Sequence, residues 1–150
     1  MDNIDRKLLN EIQRNNQLTS GELSERVGLS ATSVQRRLHR LRADGVIEAD
    51  IAVVSPAAVG RPLTMLVAVE LARERSDIID RFKRAVRNCA EVMSAYYVTG
   101  ETDFVLIVTA QDMQNYEAFT RDFLYNNPDI KGFKTTVVMD RIKASLNVPV

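Results

Sequence analysis

A chain of 150 residues has room for one domain or two small ones, and its 45% apolar and 27% charged residues are ordinary for a globular protein. Twenty basic residues balance twenty acidic ones, which excludes attraction of nucleic acid through bulk charge; any such binding must come from local patterning. The single cysteine, Cys89, excludes an internal disulfide, and the single histidine, His39, excludes a metal site built on two histidines or a Cys/His cluster, so no metal or cofactor is expected.

The first fifty residues carry helical periods. In "IDRKLLNEIQRN", Ile4, Leu8 and Ile12 share a face with Leu9 beside them, the spacing of an amphipathic helix that ends at Asn15 to Gln17. "TSGE", Thr19 to Glu22, has the pattern of a capping box, and a short helix that buries Leu23 and Val27 follows until Gly28 stops it. Ser30 is an N-cap for a third helix, Ala31 to about Ala43, closed by Asp44-Gly45. "VIEADIAVV" alternates, with Ile47, Ala49, Ile51 and Val53 on one side, and predicts a strand. This gives a helix-turn-helix domain with a following strand over residues 1–54.

"SPAAVGRP", Ser55 to Pro62, interrupts regular structure and is read as a linker. Residues 63–150 then predict a strand over Leu63 to Leu71 and a helix over Asp77 to Cys89 with Ile78, Ile79, Phe82, Val86 and Cys89 inward. Cys89 is read as a small buried hydrophobe on that helix, not as a nucleophile. A strand over Val92 to Val98, the turn "TGETD" and a strand over Phe104 to Ala110 come next. Asp112 caps a helix with Met113, Tyr116, Phe119 and Phe123 inward, and "NNPD" turns into a last strand, Phe133 to Met139. The order β-α-β-β-α-β is the split βαβ of ferredoxin-like domains, an antiparallel sheet with two helices on one face. The class is therefore α+β. The sheet's uncovered face predicts a homodimer.

The charge distribution singles out one segment. From Arg26 to Ala43 there is no acid, and Arg36, Arg37 and Arg40 cluster with His39 in "GLSATSVQRRLHRL". At 100° per residue Val34, Leu38 and Leu41 share the packing face. Thr32, Gln35, Arg36, His39 and Arg40 lie opposite, with Ser33 at the margin and Arg37 nearer the core edge. A surface helix usually alternates its signs. An acid-free second helix after a short turn suits the major groove of double-stranded DNA, where Arg pairs with guanine, Gln with adenine, and hydroxyls with phosphates. The candidate DNA-binding residues are Thr19, Ser30, Thr32, Ser33, Gln35, Arg36, Arg37, His39 and Arg40.

With these residues in view the chain resembles the Lrp/AsnC family of prokaryotic transcriptional regulators. The resemblance runs through "IDRKLLNEIQRN", "ELSERVGLSATSVQRRLHRLRADGVI", "YYVTGETDFVLIV" and "TTVVMDRIK". It implies a winged helix-turn-helix joined to a ligand-sensing domain, homodimers that assemble into octamers or other multimers, and a small effector, often an amino acid, that changes assembly or DNA affinity. It also marks Val98 to Asp103 as the effector loop. Read alone, "TGETD" is a hairpin turn, where Gly, Thr and Asp are common. As a ligand loop, Gly100 allows close approach to backbone N–H groups that receive a carboxylate, while Asp103 and Glu101 can hold an ammonium group. Thr99, Thr102, Thr135 and Thr136 add hydroxyls.

An enzyme on the same two-domain plan, similar to siroheme decarboxylases, is the competing reading. Its large pocket calls for basic and imidazole groups in the C-terminal half, but the only histidine lies on the helix-turn-helix. No catalytic residues are therefore assigned. Met1 leads into the polar "DNIDRKLL", with no apolar signal core behind a basic start, so a cytoplasmic protein with no membrane partner is expected.

Overall fold

A computed structural model describes all residues from Met1 to Val150. The chain forms two compact units, residues 1–53 together with 142–150, and residues 54–141.

The N-terminal unit holds three helices, α1 (Asn3–Arg14), α2 (Ser20–Val27) and α3 (Ala31–Ala43). Leu8, Leu23, Val27, Val34 and Leu38 form its core, with Ile4, Ile12, Leu18, Leu29 and Ile47 packed around them. Each fully buried Leu or Val contributes about 1.5–3 kcal/mol from removal of apolar area from water. The helix starts are fixed by side chains. Asp2 accepts from the Ile4 and Asp5 N–H groups at 2.9 and 2.8 Å. Thr19 and Glu22 form a reciprocal capping box, and Ser30 accepts from the Ser33 N–H at 3.2 Å. Gly28 ends α2 at φ 72°, a left-handed conformation that side-chain-bearing residues rarely adopt.

Residues 46–54 do not form the expected strand. The alternation is present, and Ile47 packs on the core, but a strand needs a neighbour to complete its ladder, and the single chain offers none. Ile51, Val53 and Val54 stay exposed. The C-terminal tail runs back onto α1: Gln13 donates to the Val148 carbonyl at 3.1 Å and accepts from the Val148 N–H at 2.7 Å. Asn10 donates to the Val150 carbonyl at 3.3 Å.

The second unit is a four-stranded sheet with two helices. Its elements are β1 (Leu63–Leu71), α4 (Ser76–Arg87), β2 (Val92–Tyr97), β3 (Phe104–Ala110), α5 (Met113–Phe119) and β4 (Ile130–Val137). The strands lie in the order β2-β3-β1-β4, all antiparallel. This is the ferredoxin-like βαββαβ arrangement. Met65, Val67, Val69 and Leu71 of β1, Phe104, Leu106 and Val108 of β3, and Ile78, Phe82 and Val86 of α4 are buried together in the core. The opposite face of the sheet carries Leu66, Tyr96, Val105 and Ile107, with Leu66 and Tyr96 exposed.

Four local expectations are corrected. Helix α4 ends at Arg87, so Cys89 lies beyond the Asn88 C-cap, half-buried, with its thiol 3.3 Å from the Glu91 carboxylate. Burial first, and then Glu91, push that thiol's pKa up, which fits an unreactive side chain. Met113, the first residue after the Asp112 cap, is exposed. Helix α5 widens at Thr120–Tyr125 into a π-helical segment. The wider turn lets Phe119 and Leu124, five residues apart, bury together. Strand β4 begins earlier than expected and stops at Val137, leaving Met139 fully exposed.

Candidate DNA-binding helix and effector loop

Helix α3 turns its apolar stripe, Val34, Leu38 and Leu41, into the N-terminal unit. Thr32, Gln35, Arg36, His39 and Arg40 are exposed opposite, and Ser33 and Arg37 are half-buried at the margins. Arg36 makes no ion pair with any carboxylate of the chain. The hydroxyls of Thr19 and Ser30 act first as caps: Thr19 donates to Glu22 at 2.8 Å, and Ser30 donates to the Ser33 hydroxyl at 3.0 Å.

The other guanidinium groups are not free. Arg37 Nη1 donates to Asp2 Oδ2 at 2.7 Å and to Asp5 Oδ1 at 2.8 Å. Arg40 Nη2 donates to Asp5 Oδ2 at 2.7 Å. Arg42 forms a fork on Asp50, at 2.8 and 3.2 Å. The acid-free helix thus receives its acids from α1 and from the segment that follows α3. Asp5 is 1% exposed yet ionised: burial alone raises its pKa, but the Asp2 N–H, Arg37 and Arg40 together hold it below the ordinary value. The Asp2 carboxyl is lowered to about 2, first by the Asp5 N–H that it caps and then by Arg37. Sequence reasoning missed Asp2, Asp5 and Asp50, because the partners lie 35, 32 and 8 residues from their arginines. The one available signal was two aspartates on the first turn of a helix that must pack against α3.

The β2–β3 loop presents a different chemistry. Gly100 sits at φ 122°, where a side chain is strained, and Thr99, Gly100 and Glu101 form an exposed tip. The two residues after the tip are turned toward β1. Thr102 Oγ1 donates to the Val69 carbonyl at 2.7 Å, and Asp103 Oδ2 accepts from the Leu71 N–H at 2.7 Å. The register of β1 against β4 slips between Glu70 and Leu71, and the Asp103 carboxylate receives the Leu71 amide at that bulge. Thr135 and Thr136 are adjacent on β4 and therefore point to opposite faces of the sheet. Thr135 hydrogen-bonds the Tyr116 hydroxyl on the helix side, while Thr136 is exposed on the other. The structure thus gathers Thr99, Gly100 and Glu101 at one tip, ties Thr102 and Asp103 to the sheet, and separates Thr135 from Thr136.

Comparison with known proteins matches two segments of the chain to two kinds of domain. Residues 1–48 match winged helix-turn-helix DNA-binding domains, and residues 64–148 match the Lrp/AsnC ligand binding domain. The uncharacterized HTH-type transcriptional regulator y4tD of Sinorhizobium fredii is 64% identical over 150 residues, 100% of this chain and 89% of that protein. The leucine-responsive regulatory protein of Escherichia coli is 33% identical over 145 residues, 97% of this chain and 88% of its own. Among solved structures, a transcriptional regulator of Neisseria meningitidis in complex with L-Met superposes with a TM-score of 0.94 at 34% identity, covering 99% of this chain and 96% of that one.

Proposed function

Given that the chain belongs to the Lrp/AsnC family of transcriptional regulators, we propose that α3 reads operator DNA through Arg36, Gln35, His39 and Thr32, with Ser33 and the capping ends of Thr19 and Ser30 near the phosphates. The observation that carries this reading is the unpaired Arg36 guanidinium on an exposed, acid-free helix face. In a groove that group matches guanine O6 and N7. Arg37 and Arg40 play a different part, because Asp2 and Asp5 already engage them.

The effector is a free amino acid, and its site includes the loop tip Thr99, Gly100 and Glu101. Support comes from the ligand-binding family match, from the L-Met complex of the Neisseria regulator, and from the chemistry of the tip. Backbone N–H groups beside Gly100 suit a carboxylate, and Glu101 suits an ammonium group. The active form is a homodimer or a larger multimer such as an octamer. Its supports are the open sheet face with Leu66, Tyr96 and Ile107, and the unpaired 46–54 segment. The chain acts as a cytoplasmic regulator and not as a catalyst.

Gel-shift titration of wild type and Arg36→Ala over several salt concentrations tests the DNA reading. A base contact predicts a loss of about 1–3 kcal/mol with relaxed specificity, and unchanged binding refutes it. Thermal unfolding with a panel of amino acids, L-Met first, tests the effector. A ligand of the folded state raises the melting temperature, and no shift with any of them refutes this part. Light scattering at several protein concentrations tests assembly.

A further inference from the structure

Asp5 is the one fully buried acid of the chain, and all of its partners are accounted for. It lies on the first turn of α1 and accepts from the Asp2 N–H at 3.0 Å, from Arg37 at 2.8 Å and from Arg40 at 2.7 Å. Asp2, exposed on its outer side, takes Arg37 a second time. Two carboxylates thus face two guanidinium groups on the helix read here as the DNA-binding element. Four positive side chains belong to α3, and three are matched by Asp2, Asp5 and Asp50; Arg36 is not.

A structural clamp between α1 and α3 needs only one ion pair, and an apolar pair of similar volume serves that purpose as well or better. Engaging two arginines on a DNA-facing helix has a further consequence. Phosphate contacts supply affinity without sequence information, and each additional cation that reaches a phosphate raises binding to every duplex alike. We propose that Asp5, with Asp2, is a specificity-determining residue: it withholds the Arg37 and Arg40 charges from the phosphate backbone and fixes α3, so that Arg36 and its neighbours dominate contact with DNA. This inference rests on the assignment of α3 as the DNA-reading helix. The depressed pKa of both aspartates fits it, since both remain charged throughout the physiological range.

The test is titration of the full chain against a duplex pool of randomised sequence at stepped salt concentrations. Asp5→Asn is expected to bind the pool more tightly at low salt. Its slope of log K against log salt should steepen by about 0.9 for each freed guanidinium that reaches a phosphate. Asp5→Asn combined with Arg40→Gln should lose the part due to Arg40. Sequences selected from the pool by Asp5→Asn should be less restricted than those selected by wild type. Arg40→Gln in the wild-type chain gives a second test if Asp5→Asn does not fold: with Asp5 already engaging Arg40, its loss should leave the wild-type slope unchanged. A wild-type slope in Asp5→Asn, or a shallower slope in Arg40→Gln alone, overturns the inference. Arg36→Ala in the same series separates that result from failure of the underlying reading. Weakened binding of Arg36→Ala to a duplex that wild type selects from the pool keeps α3 as the DNA helix, whereas wild-type affinity for that duplex removes it.

Discussion

The two units solve the same problem, holding a functional segment in place, with different forces. In the N-terminal unit α3 is packed by Val34, Leu38 and Leu41 and then locked by charge, with Arg37 and Arg40 converging on a buried carboxylate. In the C-terminal unit the β2–β3 loop is tied by bonds to main-chain groups of β1, over a core of aromatic and branched side chains. Charge-assisted bonds are directional and respond to competing ions, which suits a helix that meets a polyanion. Main-chain bonds over an apolar core respond little to salt. That suits a loop whose tip must keep its shape, as the effector site proposed above requires.

The sharpest way to break this contrast is to weaken the apolar core alone. Phe82 is buried, with its ring 4.7 Å from that of Phe104 and 6.1 Å from that of Phe123. Phe82→Ala is expected to destabilise the C-terminal unit by about 3–5 kcal/mol. All four tyrosines lie within residues 54–141 and the chain has no tryptophan, so tyrosine fluorescence in urea follows this unit selectively. A midpoint within error of wild type means that the core is not what holds the loop.

A smaller effect sharpens the loop's side of the contrast. Asp103→Ala leaves the Leu71 amide without its acceptor, at a cost of about 1–3 kcal/mol if no water replaces it. Asp103→Asn keeps an oxygen there and should retain most of that stability. The pair therefore separates shape from charge. If the charge of Asp103 also holds an effector ammonium, Asp103→Asn unfolds like wild type but loses the ligand-induced rise in melting temperature. A wild-type melt for Asp103→Ala removes the structural role.

How far this was legible in the sequence follows the same line. Features set by local chemistry were readable: the Thr19–Glu22 box, the Gly28 stop, the Ser30 cap, and β1 and β3 to the residue. Each depends on spacing within one turn or one strand. Features that require a partner distant in the chain were not. The alternation at Val46 to Val53 is that of a strand, but a ladder is a property of two segments. The arginine face of α3 was identified while its occupancy by Asp2 and Asp5 was not, because only the fold brings α1's first turn beside it. Likewise Thr135 and Thr136 looked like one donor set until the pleat set them on opposite faces.

The smallest predicted effect probes the charge lock directly, through acid. The folded-state pKa of Asp2 is about 2, below its ordinary 3.8, and that of Asp5 is also lowered. A carboxyl whose folded value is depressed contributes stability that is fully present above the unfolded value and is lost as pH falls through the folded one. The advantage of wild type over Asp2→Asn should therefore be constant at neutral pH, begin to shrink near 3.8 and vanish below about 2. Thermal unfolding followed by helical ellipticity at stepped pH measures it, and high salt should reduce it at every pH because Asp2 is exposed. Phe82→Ala supplies the control, since its deficit comes from lost packing and should not track this titration. If the Asp2→Asn deficit persists undiminished at pH 2, the Asp2–Arg37 pair contributes nothing to holding α3, and the charge lock between α1 and α3 rests on Asp5 alone.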